Sequence, residues 1–429
     1  MKQFLKNVRK RWHGDIAGWN AELKEEIIGE ITRCTEKLEY AQKYAGGGIK
    51  QKCHADSVYE QLSRIYNALQ DDLSRKIFMG RIEYSITHVL TGVYRAMLCD
   101  ENVRWRTTKK TTYAEEYYGL PALWELLKEN YPVQKHEIYL LGFDDPWNEY
   151  NWVVERFFQA LPGLGIKVSG CVMPTQIPQM REFQGFPCIS EKKFLENINE
   201  NTRIIIGFPG WMREQLKDVV ERYIEYKDIL FPIADTIRPQ YIEPELFRLT
   251  EDEIFVDVGV FDLQDSINFA KWARQKYKKI YAFEPDPKCY QRSIKRLGEM
   301  DHVFRDKMEL INKGLGTENS ILEFPAEYKW SGAKVEKTIS VEVVSLDSFL
   351  DGRPVTFVKM DVEGAEMSVL AGMRKTILRY KPKLAVCIYH KHEDVFEISS
   401  FLLDLVPEYK FYLRHYNSNE IEEVLFCTV

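Results

Sequence analysis

Between residue 1 and about residue 130, apolar positions recur at three- and four-residue spacing in a strongly charged background, as in YEQLSRIYNALQDDLSRKIFMGRIEYSITHVL. That period predicts helices with one buried face. The run Gly46 to Gly48 interrupts it and predicts a loop between helices, since no strand leads into it to build a phosphate cradle. From about residue 135 the pattern changes to short apolar runs alternating with helical stretches. HEIYLLGF, IKVSGCVM, TRIIIGF and DILFPI read as strands, with helices from Trp152 to Ala160 and from Trp211 to Tyr223, which makes 131–238 a small Rossmann-like βαβ unit with a parallel sheet. Its first strand runs into GFDDPWNE, where two carboxylates and a proline stand where a dinucleotide phosphate needs bare backbone N–H groups. A packing or substrate-recruiting role is therefore favoured over dinucleotide binding. IRPQYIEPELF, with its prolines, reads as the linker to the last domain.

In 245–429 the apolar runs EIFVDVGV, KIYAFEP, MELINKGL, TFVKMDV and KLAVCIYH are separated by helix-patterned segments, as parallel pairing through crossovers requires. FYLRHY and VLFCTV come next with only NSNEIEE between them, too short for a crossover, so they form an antiparallel hairpin. A plain dinucleotide-binding fold continues in parallel, whereas a doubly wound sheet with an antiparallel final strand resembles the architecture of class I methyltransferases. The expected fold class is α/β: a seven-stranded Rossmann-like sheet with a terminal hairpin at 245–429, preceded by the small unit at 131–238 and a helical region at 1–130.

Length and composition fit this division. At 429 residues the chain exceeds what one core usually serves, and 45% hydrophobic with 29% charged residues is an ordinary globular balance. A formal net charge of -6 argues against a partner held by nucleic-acid phosphates. The eight cysteines include no C-x-x-C pair, and Cys387 and Cys427 sit in strand-like runs as small hydrophobes. No apolar segment follows the basic MKQFLKNVRKRWHGD and none is long enough to span a bilayer, so a cytoplasmic protein without stable membrane insertion is expected. A homo-oligomer is compatible with the sequence.

Taken in order, FVDVGVFDLQDS, IYAFEPDP, FVKMDVEGAE, IYHKHED and LRHY resemble the FkbM family of methyltransferases, with KMDVEGAE after a strand the most specific element. The resemblance implies S-adenosylmethionine as cofactor and O-methylation of a hydroxyl on a sugar, glycan or other hydroxylated small molecule. It also implies that Gly259 lets the backbone approach the methionine part of the cofactor and that Asp257 helps to hold its ammonium group directly or through water, although Asp-x-Gly at a strand end is also an ordinary turn. Leu263 stands where family members commonly carry another glycine, which implies a detour of the loop or weaker cofactor binding. Asp262 and Asp265 read as caps of the next helix.

Glu284 lies 27 residues after Asp257, near the spacing of an acid that binds ribose hydroxyls, although a capping acid before Pro285 is the other reading. Asn312 and Lys313 end the third strand near the adenine edge, or simply serve loop polarity. Lys359, Asp361 and Glu363 share a face at the carboxyl end of a buried strand, where ionisable groups are costly unless they meet a ligand or one another. Asp361 is the leading site residue, positioning the acceptor hydroxyl or taking its proton, and a Lys359–Asp361 ion pair is the competing reading. His390, at the mouth of the fifth strand, is a second candidate base. His392 begins a helix, and Arg414, His415 and Tyr416 either line the acceptor pocket or pair with the acidic run Glu420 to Glu423. Asp361, Glu363, His390 and His392 are suitable ligand types for a divalent ion, but their spacing is no recognised signature, so no metal is assigned and metal dependence is the lesser reading. Two other functions remain open: a cofactor- or nucleotide-binding scaffold with a degenerate site, suggested by Leu263, and a nucleotide-dependent oxidoreductase, suggested by Glu284 but disfavoured by the missing G-x-G-x-x-G and the terminal hairpin.

Overall fold

The computed structural model describes residues 55–87, 89–98, 120–121, 123–141, 157–173, 182–183, 185–207, 213–233, 240–325, 338–417 and 421–429. The Gly46 to Gly48 loop, the helical reading before residue 55 and the GFDDPWNE turn lie outside these residues.

β1 (Glu137–Leu141), β2 (Val168–Met173), β3 (Glu182–Phe183), β4 (Phe186–Ser190), β5 (Thr202–Ile206) and β6 (Leu230–Pro232) form one sheet in the order β3-β4-β2-β1-β5-β6. All its pairs are parallel except β3–β4. The strand-patterned runs of the sequence supply β1, β2, β5 and β6. β3 and β4 had no such signal, because they are short and Pro187 breaks the apolar run.

The second sheet is built from β7 (Ile254–Val258), β8 (Lys279–Phe283) and β9 (Met308–Ile311); a small sheet of β10 (Gly314–Leu315), β11 (Ser320–Pro325) and β12 (Thr338–Val344) then interrupts the chain, and β13 (Phe357–Met360), β14 (Lys383–Cys387), β15 (Lys410–His415) and β16 (Glu423–Thr428) complete it. The order is β15-β16-β14-β13-β7-β8-β9. Only β16 runs against its neighbours, between β14 and β15, as the short NSNEIEE connection requires. The chain winds outward from β7 through β8 and β9, then returns to place β13 on the other side of β7. Such a reversal opens a crevice at the carboxyl ends of β7 and β13, which is where ligands bind in open α/β sheets.

Phe255 of β7 stacks on Phe269 at 4.2 Å, and Phe357 of β13 packs 5.1 Å from Phe255. This aromatic layer belongs to one buried cluster that also takes in Trp124, Phe157 and Ile138 around the first sheet, with Tyr241 and Phe247 among its members. Among the described residues no helix is long and apolar enough to cross a membrane.

The helix Asp72–Thr87 covers the β15 edge of the second sheet, and Ala55–Ala68 packs against the helix Asp394–Leu405. In the link between Ala68 and Asp72, Gln70 N–H donates to the Phe411 carbonyl at 2.9 Å, and Leu413 N–H donates to Ser74 Oγ at 2.9 Å. Arg414 reaches back with both guanidinium nitrogens to Asp71, at 2.6 and 3.3 Å. Burial pushes the Asp71 carboxyl up, but Arg414 and Ser74 outweigh it and hold its pKa below the ordinary value. A carboxyl lowered on folding stabilises above its unfolded pKa, and that contribution disappears as pH falls through the folded one. Asp71→Asn should therefore melt about 2–4 °C below the parent at neutral pH, the shift made by about 1 kcal/mol in a domain of a few hundred residues, with the gap closing in acid. Scanning fluorimetry across pH checks this, and a gap that stays constant below the aspartate range contradicts it.

Candidate active site

Asp257 closes β7 with its carboxylate fully buried. Ser266 Oγ donates to its Oδ2 at 2.7 Å, and Lys359 Nζ stands 3.2 Å from its Oδ1. Lys359 also donates to the Gly259 carbonyl at 2.6 Å and lies 3.5 Å from Asp265. Burial opposes a charge on Lys359, but Asp257 and Asp265 outweigh it and hold its ammonium group above the ordinary lysine range. The ion pair considered for Lys359 thus forms with Asp257 and Asp265, not with Asp361. Asp257 is turned inward to that pair, so the sequence-based expectation that it meets a ligand's ammonium group gives way to a structural role. Asp265 joins the same cluster instead of capping, while Asp262 accepts from Gln264 N–H at 3.1 Å and binds Arg296 at 2.9 Å.

Gly259 has φ of 81°, and a Cβ there would stand 1.8 Å from the Asp361 carbonyl oxygen. The glycine is thus required by the close approach of the ends of β7 and β13. After it the chain turns sharply, with Phe261 at φ 55° and Leu263 at φ 67°. Non-glycine residues in this region cost on the order of 1–3 kcal/mol each, so neighbours must hold them there. Leu263 does so from below: its side chain is fully buried in the same cluster as Phe269. Glu284 does so from the side, where its Oε2 accepts from Phe261 N–H at 2.8 Å and its Oε1 from Asp286 N–H at 2.9 Å. Burial raises the Glu284 pKa, with the two backbone donors opposing.

Asn312 donates to the Glu284 carbonyl at 2.8 Å and the Pro285 carbonyl at 3.2 Å, bracing the turn after β8. Lys313 pairs with Glu342 of β12 at 2.5 Å, a surface contact that directs it away from the role considered for it.

At the end of β13, Asp361 N–H donates to the Val258 carbonyl at 3.0 Å, and the side chain is 25% exposed. Tyr241 donates to its Oδ2 at 2.8 Å and Tyr389 to its Oδ1 at 3.4 Å. Burial, followed by the Asp361 charge, pushes both phenols above their ordinary range, so they remain hydroxyls that donate. His390 presents Nε2 to Asp361 Oδ1 at 3.5 Å and to Glu363 Oε2 at 3.4 Å, and Nδ1 to Glu366 Oε1 at 2.9 Å. Burial works against the charged imidazole, but Glu363, Glu366 and Asp361 outweigh it and push its pKa up to about 10. With these neighbours alone His390 is a cation at neutral pH, which corrects its expected role as a base. Glu366 is buried, and its Oε1 also accepts from Val362 N–H at 3.0 Å. Neither Glu366 nor the two tyrosines was singled out by sequence. Glu366 looks like an ordinary first-turn acid, and Tyr241 falls in the segment read as a linker.

The remaining candidates lie elsewhere. His392 is exposed beside Tyr84, with ring centroids 6.0 Å apart. Arg414, His415 and Tyr416 are buried and engaged inside the protein: Arg414 binds Asp71, His415 Nδ1 lies 3.3 Å from Glu423, and Tyr416 donates to Glu243. The pairing with the acidic run is therefore seen for His415, and their place in an acceptor pocket is withdrawn.

Acids thus close the strands on both sides of β7, and one loop joins them, packed against Asp361 at its start and hydrogen-bonded to Glu284 in its middle. Residues 257–416 match the family model of the methyltransferase FkbM domain. The 2-O-methyltransferase NoeI of Sinorhizobium fredii is 25% identical over 191 residues, spanning 37% of this chain and 73% of NoeI. Among solved structures, methyltransferase FkbM from Methylobacillus flagellatus aligns at 16% identity and a TM-score of 0.45, over 83% of this chain and 99% of that one. An rRNA methylase from Streptococcus thermophilus aligns at 18% identity and a TM-score of 0.27, over 42% of this chain and 87% of its own. The FkbM domain does not complete its crevice alone. Tyr241, which precedes it, supplies the shorter of the two hydrogen bonds to Asp361, and Glu243 and Gln240 bind Tyr416 and Glu422.

Proposed function

We propose that the FkbM domain transfers the methyl group of S-adenosylmethionine to a hydroxyl oxygen on a sugar, glycan or other hydroxylated small molecule. The observation that carries this reading is the partly exposed Asp361 carboxylate at the strand-order reversal, held by Tyr241 and Tyr389. The name of NoeI points to oxygen as the acceptor atom. The functional unit is taken as 245–429, with 131–238 and the helical region before it recruiting a larger acceptor or a partner.

The residues present suit the cofactor. A carboxylate has about four lone-pair positions. The N–H groups of Phe261 and Asp286 take two of those on Glu284, which leaves room for a vicinal diol such as that of ribose. When bound, S-adenosylmethionine supplies a methyl group already activated on a sulfonium. The protein's part is then alignment and proton removal. Asp361 accepts the hydrogen bond of the acceptor hydroxyl and takes its proton, while Tyr241 and Tyr389 fix the carboxylate's orientation.

Calorimetry with S-adenosylmethionine, followed by labelled-methyl transfer to a panel of hydroxylated acceptors, tests the reading. No cofactor binding by the full chain overturns it and leaves the scaffold reading. Glu284→Gln replaces one acceptor by a donor that opposes a backbone N–H, and it weakens the ribose contact. A hydrogen bond to a charged group contributes about 1.5–3 kcal/mol, so the cofactor Kd should rise about 10- to 100-fold. Unchanged affinity would place Glu284 in the loop only.

A further inference from the structure

We propose that Asp361, Glu366 and His390 together bind one divalent transition-metal ion. Their ligand atoms lie within 4.8 Å of one another, at the carboxyl ends of β13 and β14. The site is built from the inside: the Glu366 side chain is 1% exposed, His390 9% and Asp361 25%, so of the three ligands Asp361 is the most open to solvent. Glu363 stands beside them, with its Oε2 3.4 Å from His390 Nε2.

The second observation is a shortage of donors. Glu366 Oε2 is buried with no hydrogen-bond partner, and so are both ring nitrogens of His390, despite the carboxylate oxygen 2.9 Å from Nδ1. Buried polar atoms are nearly always satisfied, and unsatisfied ones point to a missing water or ion. The buried Glu366 carboxylate and the His390 ring converge on the partly exposed Asp361 carboxylate, and a bound ion would give the unpartnered Glu366 oxygen and a ring nitrogen a common centre to face. A dication does so without the fixed direction of an N–H bond. It also binds a neutral imidazole, so ligation would release any proton the ring carries.

The donor set selects the ion. Magnesium and calcium prefer oxygen alone, whereas one imidazole with carboxylates suits manganese, iron, cobalt or zinc. Three protein ligands leave coordination positions for water or a substrate oxygen. Because Asp361 belongs to both sites, the metal's chemical part rests on the function proposed above: a hydroxyl bound to the ion would have its pKa lowered and its oxygen held in place. Metal binding itself does not depend on that function.

The test uses the full chain, stripped with a chelator, titrated with Mn2+ followed by the loss of the free-ion electron paramagnetic resonance signal, and with Zn2+ by calorimetry. One site per chain is expected. Glu366→Gln keeps an acceptor for Val362 N–H, and His390→Gln keeps a polar side chain. Each should weaken metal affinity by at least about tenfold, the loss typical even of an outer-shell partner. Circular dichroism identifies which variants are folded, and either folded variant decides. Absence of binding by the parent at millimolar metal overturns the site, as does unchanged affinity in a folded variant. The two proposals fail separately. Metal binding without cofactor binding or methyl transfer leaves the site and removes the function, and methyl transfer by protein that binds no metal does the reverse.

Discussion

Asp361→Asn should reduce methyl transfer about 10²- to 10⁴-fold, the usual contribution of a positioned proton acceptor, while cofactor binding and thermal stability stay close to the parent's. The amide has the carboxylate's shape, and its oxygen can still accept from Tyr241, which donates at 2.8 Å, while its NH2 falls on the side of the longer, 3.4 Å Tyr389 contact. What it lacks is a basic oxygen. The drop corresponds to roughly 3–5 kcal/mol on the barrier. It should appear in kcat more than in KM, because the interaction strengthens as the proton leaves the hydroxyl. Labelled-methyl transfer under saturating cofactor measures it. Parental turnover in a correctly folded variant would remove Asp361 as the acceptor of the proton. The raised pKa of His390 makes this the sharper of two tests: a group pushed to about 10 by three carboxylates cannot share the task at neutral pH unless something displaces its proton.

The second sheet was legible because its strands obey a simple rule. EIFVDVGV, KIYAFEP and KLAVCIYH are continuous apolar runs, as strands buried on both faces must be, and the short final connection allowed only a hairpin. Glu284 and Asp361 stood out for the same reason, since an acid at the carboxyl end of such a run has no solvated strand surface to occupy. β10, β11 and β12 were not: β11 is largely exposed, with Ile321 72% and Leu322 53% accessible, so apolar alternation there marks no core. The site's other half depends on contacts remote in sequence. Lys359 shares alternation with Asp361, but its partner is Asp257, across the strand pair where Lys359 lies opposite Asp257. Glu366 faces His390 only because the turn at Gly364, with φ of 92°, brings the start of its helix back to the end of β14. Arg414, His415 and Tyr416 looked like pocket residues because a polar strand end usually faces solvent. Here a helix far earlier in the chain covers it, as the pairing of Arg414 with Asp71 shows, and no local pattern reports that.

That covering predicts the larger stability effect. Arg81→Met should lower stability by about 3–5 kcal/mol, the cost of removing one member of a buried ion pair. The Arg81 side chain is 2% exposed and Glu423 0%, with Nε 3.1 Å from Oε1, so water cannot solvate the carboxylate once the guanidinium is gone. His415 Nδ1 lies 3.3 Å from the other carboxylate oxygen. In a domain of this size the loss corresponds to roughly 10 °C in Tm. The double variant Arg81→Met with Glu423→Gln should recover part of it, since the stranded charge, more than the missing contact, makes the single change severe. A single variant that melts with the parent would show that water or His415 compensates fully. The consequence extends to the crevice, because the Glu423 carbonyl accepts from Ile388 N–H at 3.0 Å, directly before Tyr389 and His390. A helix outside the FkbM domain thus supports the strand end that carries two of the groups facing Asp361, and Arg81→Met should lower turnover at temperatures below its own melting as that strand end loosens.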